Sequence, residues 1–223
     1  MPPLLRLLQI SDSAFPTGSF SHSMALEAFH EAGRMETAED LERAAHLHLS
    51  SMATSDCVAL RASCGAELGE LFRVDRILTA TKPARELRQA SASTGRRFLL
   101  GVSALGVEGD ALARFTGAAR EGRTPGNLAV GYGVAAPALG LGVEEAVYAY
   151  LYAGAASMVA AGQKLIPLGG SAAQRVLFGL GDGIEGAARM SETVEAEDMH
   201  AFAPTIDALS MLHERQRTRL YIS

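Results

Sequence analysis

The densest group of chemically capable side chains lies near the start of the chain, at positions 11–23, where five serines, an aspartate and a histidine surround a Pro-x-Gly turn. The members of this group that bear on function are Asp12, Pro16, Gly18, Ser19, Ser21 and His22. Two interpretations stay open. Ser19 or Ser21 can cap the following helix by accepting hydrogen bonds from its free N–H groups. Alternatively, a serine activated by a neighbouring histidine and carboxylate would serve a helical hydrolase.

The sequence lacks the motifs on which most metal and nucleophile chemistry rests. His46 and His48 are two positions apart, so on a helix they point about 200° apart and cannot share an ion. There is no Gly-x-Ser-x-Gly, no His-Glu-x-x-His, no paired-cysteine motif and no phosphate-binding Gly-x-x-x-x-Gly-Lys-Ser/Thr loop. Cys57 and Cys64 are expected to be free thiols. We therefore predict a protein that is not an enzyme, with no catalytic residue and no tightly bound metal or cofactor. A metal site at an interface, built from a few scattered His or Cys residues, stays open as an alternative.

Two later segments are more specific than a plain scaffold requires. The first is a sharp break between two apolar helices, built on Pro167 and Gly169 and followed by Gln174, where Lys164 either reaches solvent or binds a partner. The second runs from Pro204 to the end of the chain. Its candidate docking residues are His213, Glu214, Arg219, Leu220 and Tyr221. We expect this end to dock onto the protein itself or onto a partner.

Composition bounds the class of protein. The 223 residues are 48% hydrophobic and 20% charged, which is ordinary for a globular chain of one domain, here taken as 1–223. The net charge of −5 gives no basic face for nucleic acid. The N-terminus lacks the apolar run of a signal peptide, so a cytoplasmic location is expected.

Helix signals follow one another along the chain, and strand alternation is missing. Gly33 is placed to end a helix that begins near Ser21, and Thr37 with Asp40 predicts a capping box for the next. One or two further helices are expected over about 56–79. Others are expected from Pro83 to about 105, from a cap at Asp110 to about 122, from Asn127 toward Gly142 with a kink or an interruption at Pro137, over 144–165, from about Gly170 and from Pro204. The stretch 192–198 is predicted to be a solvated acidic loop. We predict an all-α, single-domain bundle of about eight to ten helices.

The predicted helix over 144–165 is expected at the centre of this bundle. Ala149, Ala153, Ser157 and Ala161 recur every four residues and form a smooth ridge that permits close packing. The run 146–163 carries no charge, but its small residues favour a buried helix over a membrane span. A ligand slot along the ridge is the alternative.

Taken together, these segments resemble the UreF family of urease accessory proteins. The resemblance spans nearly the whole chain in order. It is carried by the segment 8–23 continuing to Leu26 and Glu27, by 86–91 with 95–97, by Tyr150–Tyr152 leading to 164–169 and Gln174, and by His213 and Glu214 leading to 219–223. Each motif alone is weak.

The resemblance implies an all-α homodimer that assists nickel insertion into urease. Members of this family stand between UreD (also called UreH), which binds the urease apoprotein, and the nickel-carrying GTPase UreG, whose GTP hydrolysis they regulate. Nickel passes through the complex by an internal route. Carried over by matching motifs, the GTPase-facing surface includes Lys164, with Glu27 as a second candidate. Gln174 is carried over as a partner-binding residue. The docking of UreD falls to His213, Glu214, Arg219, Leu220 and Tyr221.

Three positions depart from the family pattern. Gly170 replaces a glutamine, so an amide is lost there, and Ile222 replaces an arginine near the end of the chain. Asn127 stands where many members have a histidine, which puts a metal role for that position in doubt.

Overall fold

The computed structural model describes residues 1–19, 22–214 and 220–221, and within these ranges the chain forms helices without strands. The predicted all-α class is confirmed. The helices are α1 (Pro3–Ser11), α2 (Leu26–Glu31), α3 (Ala38–Ala53), α4 (Asp56–Ser63), α5 (Leu68–Ala80), α6 (Arg85–Ala104), α7 (Asp110–Arg120), α8 (Leu128–Leu139), α9 (Val143–Leu165), α10 (Gly170–Gly179), α11 (Gly181–Met190) and α12 (Pro204–His213), with a 3-10 turn at Ala196–Asp198. The short α1, and the division of the segment after Gly170 into α10 and α11 at Leu180, account for the helices beyond the predicted number.

Local capping signals mark the starts of two helices. Thr37 Oγ1 accepts a hydrogen bond from Asp40 N at 3.2 Å, and Asp40 Oδ2 accepts one from Thr37 N at 3.0 Å, so the predicted capping box is confirmed. At the start of α9, Glu145 Oε2 accepts from Gly142 N at 2.8 Å. Both signals act over three residues, which is why the sequence reveals them.

Other helix ends were predicted wrongly. The second helix begins at Leu26 rather than near Ser21, because Met24 (φ 52°) and Ala25 (φ 66°) adopt left-handed conformations just before it. Left-handed conformations cost non-glycine residues about 1–2 kcal/mol each, and the burial of Ala25 and Leu26 in the core helps to offset this. Pro83 lies before α6 instead of in its first turn.

Two further predicted boundaries also shift. Asp110 is the first residue of α7 rather than its cap, which is Gly109. Pro137 does not interrupt α8, because it lies in the last turn, and the helix runs on to Leu139 before Gly140 (φ 70°) ends it. A proline so near the C-terminus removes a single intrahelical hydrogen bond.

Helix α9 lies at the centre of the bundle, packed against α1, α2, α3, α4, α8, α10 and α11. Its approach to α3 is so close at Gly162 that a Cβ atom there would overlap the Leu41 side chain. Ala149 and Ala161 of the ridge are buried, whereas Ala153 and Ser157 are half-buried and line a small cavity beside α1. Among the described residues, no helix combines the length and apolarity needed to cross a membrane.

The neighbouring α8 is buried on nearly every side and packs against α4 and α6. At Gly133 the α8 backbone comes so close to the carbonyl of Leu60 in α4 that no side chain fits between them. The two small-residue helices thus form the inner layer.

The acidic stretch 192–198 is partly tied to the bundle instead of being wholly solvated. Arg61 of α4 pairs with Glu144 Oε1 at 2.7 Å and with Glu192 Oε1 at 3.2 Å, and its Nε donates to Ser191 Oγ at 2.7 Å. Glu197 pairs with Arg73 of α5 at 2.9 Å. Arg61 therefore joins α4, α9 and the end of α11.

Candidate functional site

A buried network of one histidine and two carboxylates joins α2, α6 and α12. His213, in the last turn of α12, is 1% exposed. Its Nδ1 lies 2.8 Å from Glu86 Oε2 and its Nε2 lies 3.1 Å from Glu27 Oε2. The imidazole ring therefore joins a carboxyl group of α2 to a carboxyl group of α6.

The same Glu27 carboxylate also binds two residues that follow α12 in the sequence. Leu220 N donates to Oε1 at 2.6 Å, and Tyr221 N donates to Oε2 at 2.9 Å. Tyr221 is buried, whereas the Leu220 side chain is 64% exposed. A carboxylate buried in α2 therefore holds the backbone of Leu220 and Tyr221 and leaves the Leu220 side chain facing outward.

Glu214 fixes the third member of the network. Its Oε1 accepts hydrogen bonds from Arg85 N at 3.0 Å and Glu86 N at 3.3 Å, and its Oε2 lies 3.5 Å from Arg85 Nε. The free N–H groups at the start of α6 are thus satisfied by a side chain from the end of α12. This contact sets the position of Glu86 beneath His213.

The predicted GTPase-facing surface adjoins the tail. Lys164 is exposed in the last turn of α9, and its ammonium lies 5.5 Å from the centroid of the Tyr221 ring, a cation–π distance. The chain then extends through Ile166, Pro167 and Gly169 to start α10. Gln174 is exposed on α10, and a side chain at Gly170 would meet open space. An amide at position 170 would accordingly have pointed away from the core.

The predicted partner-binding residues differ in their exposure to solvent. Lys164, Gln174 and Leu220 are exposed, whereas Glu27, His213 and Tyr221 are buried and contact one another or the tail. Glu214 is half-buried. Arg219 lies outside the described residues, as do Ser21 and Ile222.

The hydroxyl-rich loop is a folded turn packed on α6. Thr17 Oγ1 donates to Ser19 Oγ at 3.0 Å, and Asp12 Oδ1 accepts from Ala14 N at 2.6 Å. Gly18, with φ 72°, lies against Arg97, as expected for a turn beside Pro16. Ser19 does not cap α2, because that helix starts later, after Ala25. The Ser23 hydroxyl instead accepts a hydrogen bond from Glu27 N at 3.4 Å.

The position of Asn127 has a structural explanation. Asp75 of α5 is fully buried, and its carboxylate accepts hydrogen bonds from Asn127 N at 2.9 Å, Asn127 Nδ2 at 2.7 Å, Gly126 N at 2.7 Å and Thr124 Oγ1 at 2.5 Å. Asn127 Nδ2 also contacts Thr79 Oγ1 at 2.7 Å. Asn127 therefore fastens the α7–α8 loop to α5.

A second set of buried polar side chains lines a cavity of about 140 Å³ between α3, α6 and α9. This set was not predicted from the sequence. Lys82 Nζ lies 2.6 Å from Asp56 Oδ2, and the Tyr150 hydroxyl donates to Asp56 Oδ1 at 2.9 Å. Burial lowers the pKa of His48 to about 4 and raises the pKa of the Tyr150 hydroxyl. Burial also raises the pKa of the Cys57 thiol, which is therefore a poor nucleophile.

Across the residues that the structure describes, no three or more His, Cys, Asp and Glu side chains are grouped so that they could hold an ion. The His213 network cannot serve as one site, because its carboxylates contact opposite nitrogens of the ring. What the network does chemically is to hold peptide N–H groups by a carboxylate.

Comparison with known proteins shows which family this chain is similar to. The family model described as UreF matches residues 35–181. The urease accessory protein UreF of Corynebacterium glutamicum (strain R) is 33% identical over 219 residues, which cover 97% of this chain and 96% of that protein. The protein of the same name from Paenarthrobacter aurescens (strain TC1) is 34% identical over 221 residues, covering 98% and 97%. A third, from Bacillus sp. (strain TB-90), is 30% identical over the full length of both chains.

Proposed function

We propose a function on the premise that the chain belongs to the UreF family of urease accessory proteins. It acts as a scaffold in urease maturation, joining UreD (UreH), and through it the urease apoprotein, to the GTPase UreG, and regulating GTP-dependent delivery of nickel. The observation that carries this proposal is the match along almost the entire length of relatives named urease accessory protein UreF. Nickel is the cargo of the assembly.

The arrangement of the described surface supports a scaffold. Lys164 and Gln174 are exposed on either side of the break between α9 and α10. The ring of Tyr221, next to the exposed Leu220, lies against Lys164. We propose that the break contributes to the UreG surface and the tail to the UreD surface. Glu27 and His213 act from the interior, because they are buried in this conformation.

The assembly is tested by size-exclusion chromatography with light scattering. The protein is mixed with its cognate UreD and then with UreG and guanine nucleotide. A complex that contains two copies of this chain and recruits UreG supports the proposal. A monomer that ignores both partners overturns it, as would undiminished nickel in urease from cells that lack this protein.

Substitution of Lys164 tests the UreG surface. We expect Lys164→Glu to weaken UreG recruitment and leave the melting temperature nearly unchanged, because one exposed charge contributes little to stability. Arg120→Glu is the matched control, since Arg120 is exposed on α7, which packs against α5, α6 and α8. Unfolding of the Lys164 variant, or equal loss of binding in the control, contradicts the assignment.

A further inference from the structure

We propose that the cavity between α3, α6 and α9 binds a small uncharged molecule, about the size of one aromatic ring, that donates a hydrogen bond to His48. This site goes beyond the proposed function and does not depend on it. Its ligand is an organic molecule with an apolar body and a single O–H or N–H donor.

A buried nitrogen atom without a partner lies in the wall of this cavity. His48 is on the buried face of α3, is 8% exposed and lines the cavity. Its Nε2 has no hydrogen-bond partner among the residues that the structure describes. Folded proteins pair nearly all of their buried polar groups, because an unpaired one loses its bonds to water and gains none in return. A ligand in the cavity can supply the missing partner.

The protonation of His48 determines what that partner must be. Burial lowers the pKa of the ring to about 4, and a hydrogen bond with the Met24 backbone opposes this shift. A backbone bond that raises the pKa of a histidine is one that the ring donates to a carbonyl oxygen. A neutral imidazole has one donor and one acceptor nitrogen, so Nε2 is the acceptor. The ligand must therefore bring a donor.

The charged side chains around the cavity favour an uncharged ligand. Lys82 Nζ lies 2.6 Å from Asp56 Oδ2, and the Tyr150 hydroxyl donates to Asp56 Oδ1 at 2.9 Å, so these charges are already paired. Burial raises the pKa of Asp207, at the half-buried edge of the cavity, and the Lys82 ammonium opposes this rise. An ion that entered would lose its hydration and disturb an existing pair.

The volume and the lining of the cavity define the rest of the ligand. Its volume of about 140 Å³ is close to that of an engineered protein cavity of about 150 Å³ that binds benzene. Apolar side chains form much of the wall, namely those of Met24, Met52, Leu87, Leu128 and Ile206.

Ser91 Oγ, on α6, is a second buried atom of the wall without a partner among the described residues. A serine hydroxyl can both donate and accept. A ligand hydroxyl can therefore donate to His48 Nε2 and accept from Ser91 Oγ. Phenol is the simplest compound of this class.

Binding of three ring compounds to the full-length protein tests the class of ligand. Phenol carries the donor, anisole replaces it by a methyl ether, and benzylammonium adds a positive charge. Nuclear magnetic resonance titration measures each dissociation constant. Phenol should bind about three- to tenfold more tightly than anisole, which is the contribution of one hydrogen bond. Equal binding of anisole, or tighter binding of benzylammonium, overturns the proposed chemistry, and a protein that does not bind phenol overturns the site.

The same titration locates the site in the wild-type protein. With nitrogen-15 in the histidine rings, the His48 Nε2 signal should be that of an unprotonated nitrogen and should shift when phenol is added. A His48 signal that does not respond while phenol binds means that the compound binds elsewhere, and the proposal fails.

Two variants separate the hydrogen bond from the space. His48→Phe keeps a ring and removes the acceptor, so the preference for phenol over anisole should disappear. Ser91→Leu fills part of the cavity and should weaken the binding of both compounds. Ser103→Leu, on the exposed side of α6, is the matched control and should bind both as the wild type does. Circular dichroism checks the folding of each variant, and a folded His48→Phe that still prefers phenol contradicts the role of His48.

Discussion

Replacement of Asp75 by asparagine tests the account of the α7–α8 loop. Each carboxylate oxygen of Asp75 accepts two hydrogen bonds: Oδ1 from Asn127 N and Nδ2, and Oδ2 from Gly126 N and Thr124 Oγ1. An asparagine must turn its N–H₂ group toward one of these pairs. Two bonds are then lost, and donors face donors in a site that water does not reach.

The expected loss of unfolding free energy follows from these contacts. A hydrogen bond to a charged group contributes about 1.5–3 kcal/mol, so two lost bonds cost about 3–6 kcal/mol. Asn127 Oδ1 is buried and has no hydrogen-bond partner among the described residues, so a rotated amide can recover one bond. We therefore expect a loss of about 2–5 kcal/mol, which for a chain of this size lowers the melting temperature by about 4–20 °C.

Urea unfolding followed by circular dichroism measures the change. Asp110→Asn is the control, because the Asp110 side chain is 82% exposed and its replacement should cost less than about 1 kcal/mol. A loss below about 1 kcal/mol for Asp75→Asn would refute the view that this carboxylate holds the loop.

Three further predictions concern titration, packing and thiol reactivity. The pKa of His48 is about 4 when folded and 6.5 when unfolded, so only the unfolded chain binds the proton as the pH falls from 6.5 toward 4. Between pH 6.5 and pH 4 the wild type should therefore lose about 2–3 kcal/mol of unfolding free energy that the His48→Gln variant does not lose. Urea unfolding of both proteins across this pH range measures the difference. Gly162→Ala should destabilise the protein by about 1–3 kcal/mol, because the added methyl group of α9 overlaps Leu41 of α3. Gly117→Ala adds a methyl group in open space on α7 and should stabilise the protein by about 0.5–1 kcal/mol. Equal effects of the two substitutions would contradict the close packing of α9 on α3. Under native conditions Cys57 should resist a thiol reagent while the half-buried Cys64 reacts slowly, and mass spectrometry that finds Cys57 modified would contradict its burial.

The fold was predictable wherever its signals are local. The Thr37–Asp40 box, the periodic small residues of α9 and the glycine that ends α2 act within a few residues, and each could be interpreted from the sequence. The cap of α6 could not, because Glu214 reaches it from the far end of the chain. The start of α2 was missed because left-handed residues at Met24 and Ala25 depend on tertiary packing.

The candidate site was found in part. The sequence pointed to His213 and Glu214. Docking of the terminal segment onto the protein itself was one of two expected outcomes, and Tyr221 N does donate a hydrogen bond to Glu27. Burial of Glu27 was not foreseen, since glutamate is rarely buried unless it is paired. A single sequence does not reveal pairs so far apart, and Asp75 with Asn127 was missed for the same reason.

The close seam between α4 and α8 has a consequence for synthesis on the ribosome. The surface of α4 that Gly133 covers ends at Ser63, but α8 begins only at Leu128. At roughly 5–20 residues per second, that surface waits about 3–13 s for its partner. Until α8 and α9 emerge, the nascent chain exposes the apolar faces of its first helices, and a fragment that stops before Leu128 should aggregate. Packing of α8 and α9 into the inner layer is thus the step that protects the newly made protein from aggregation.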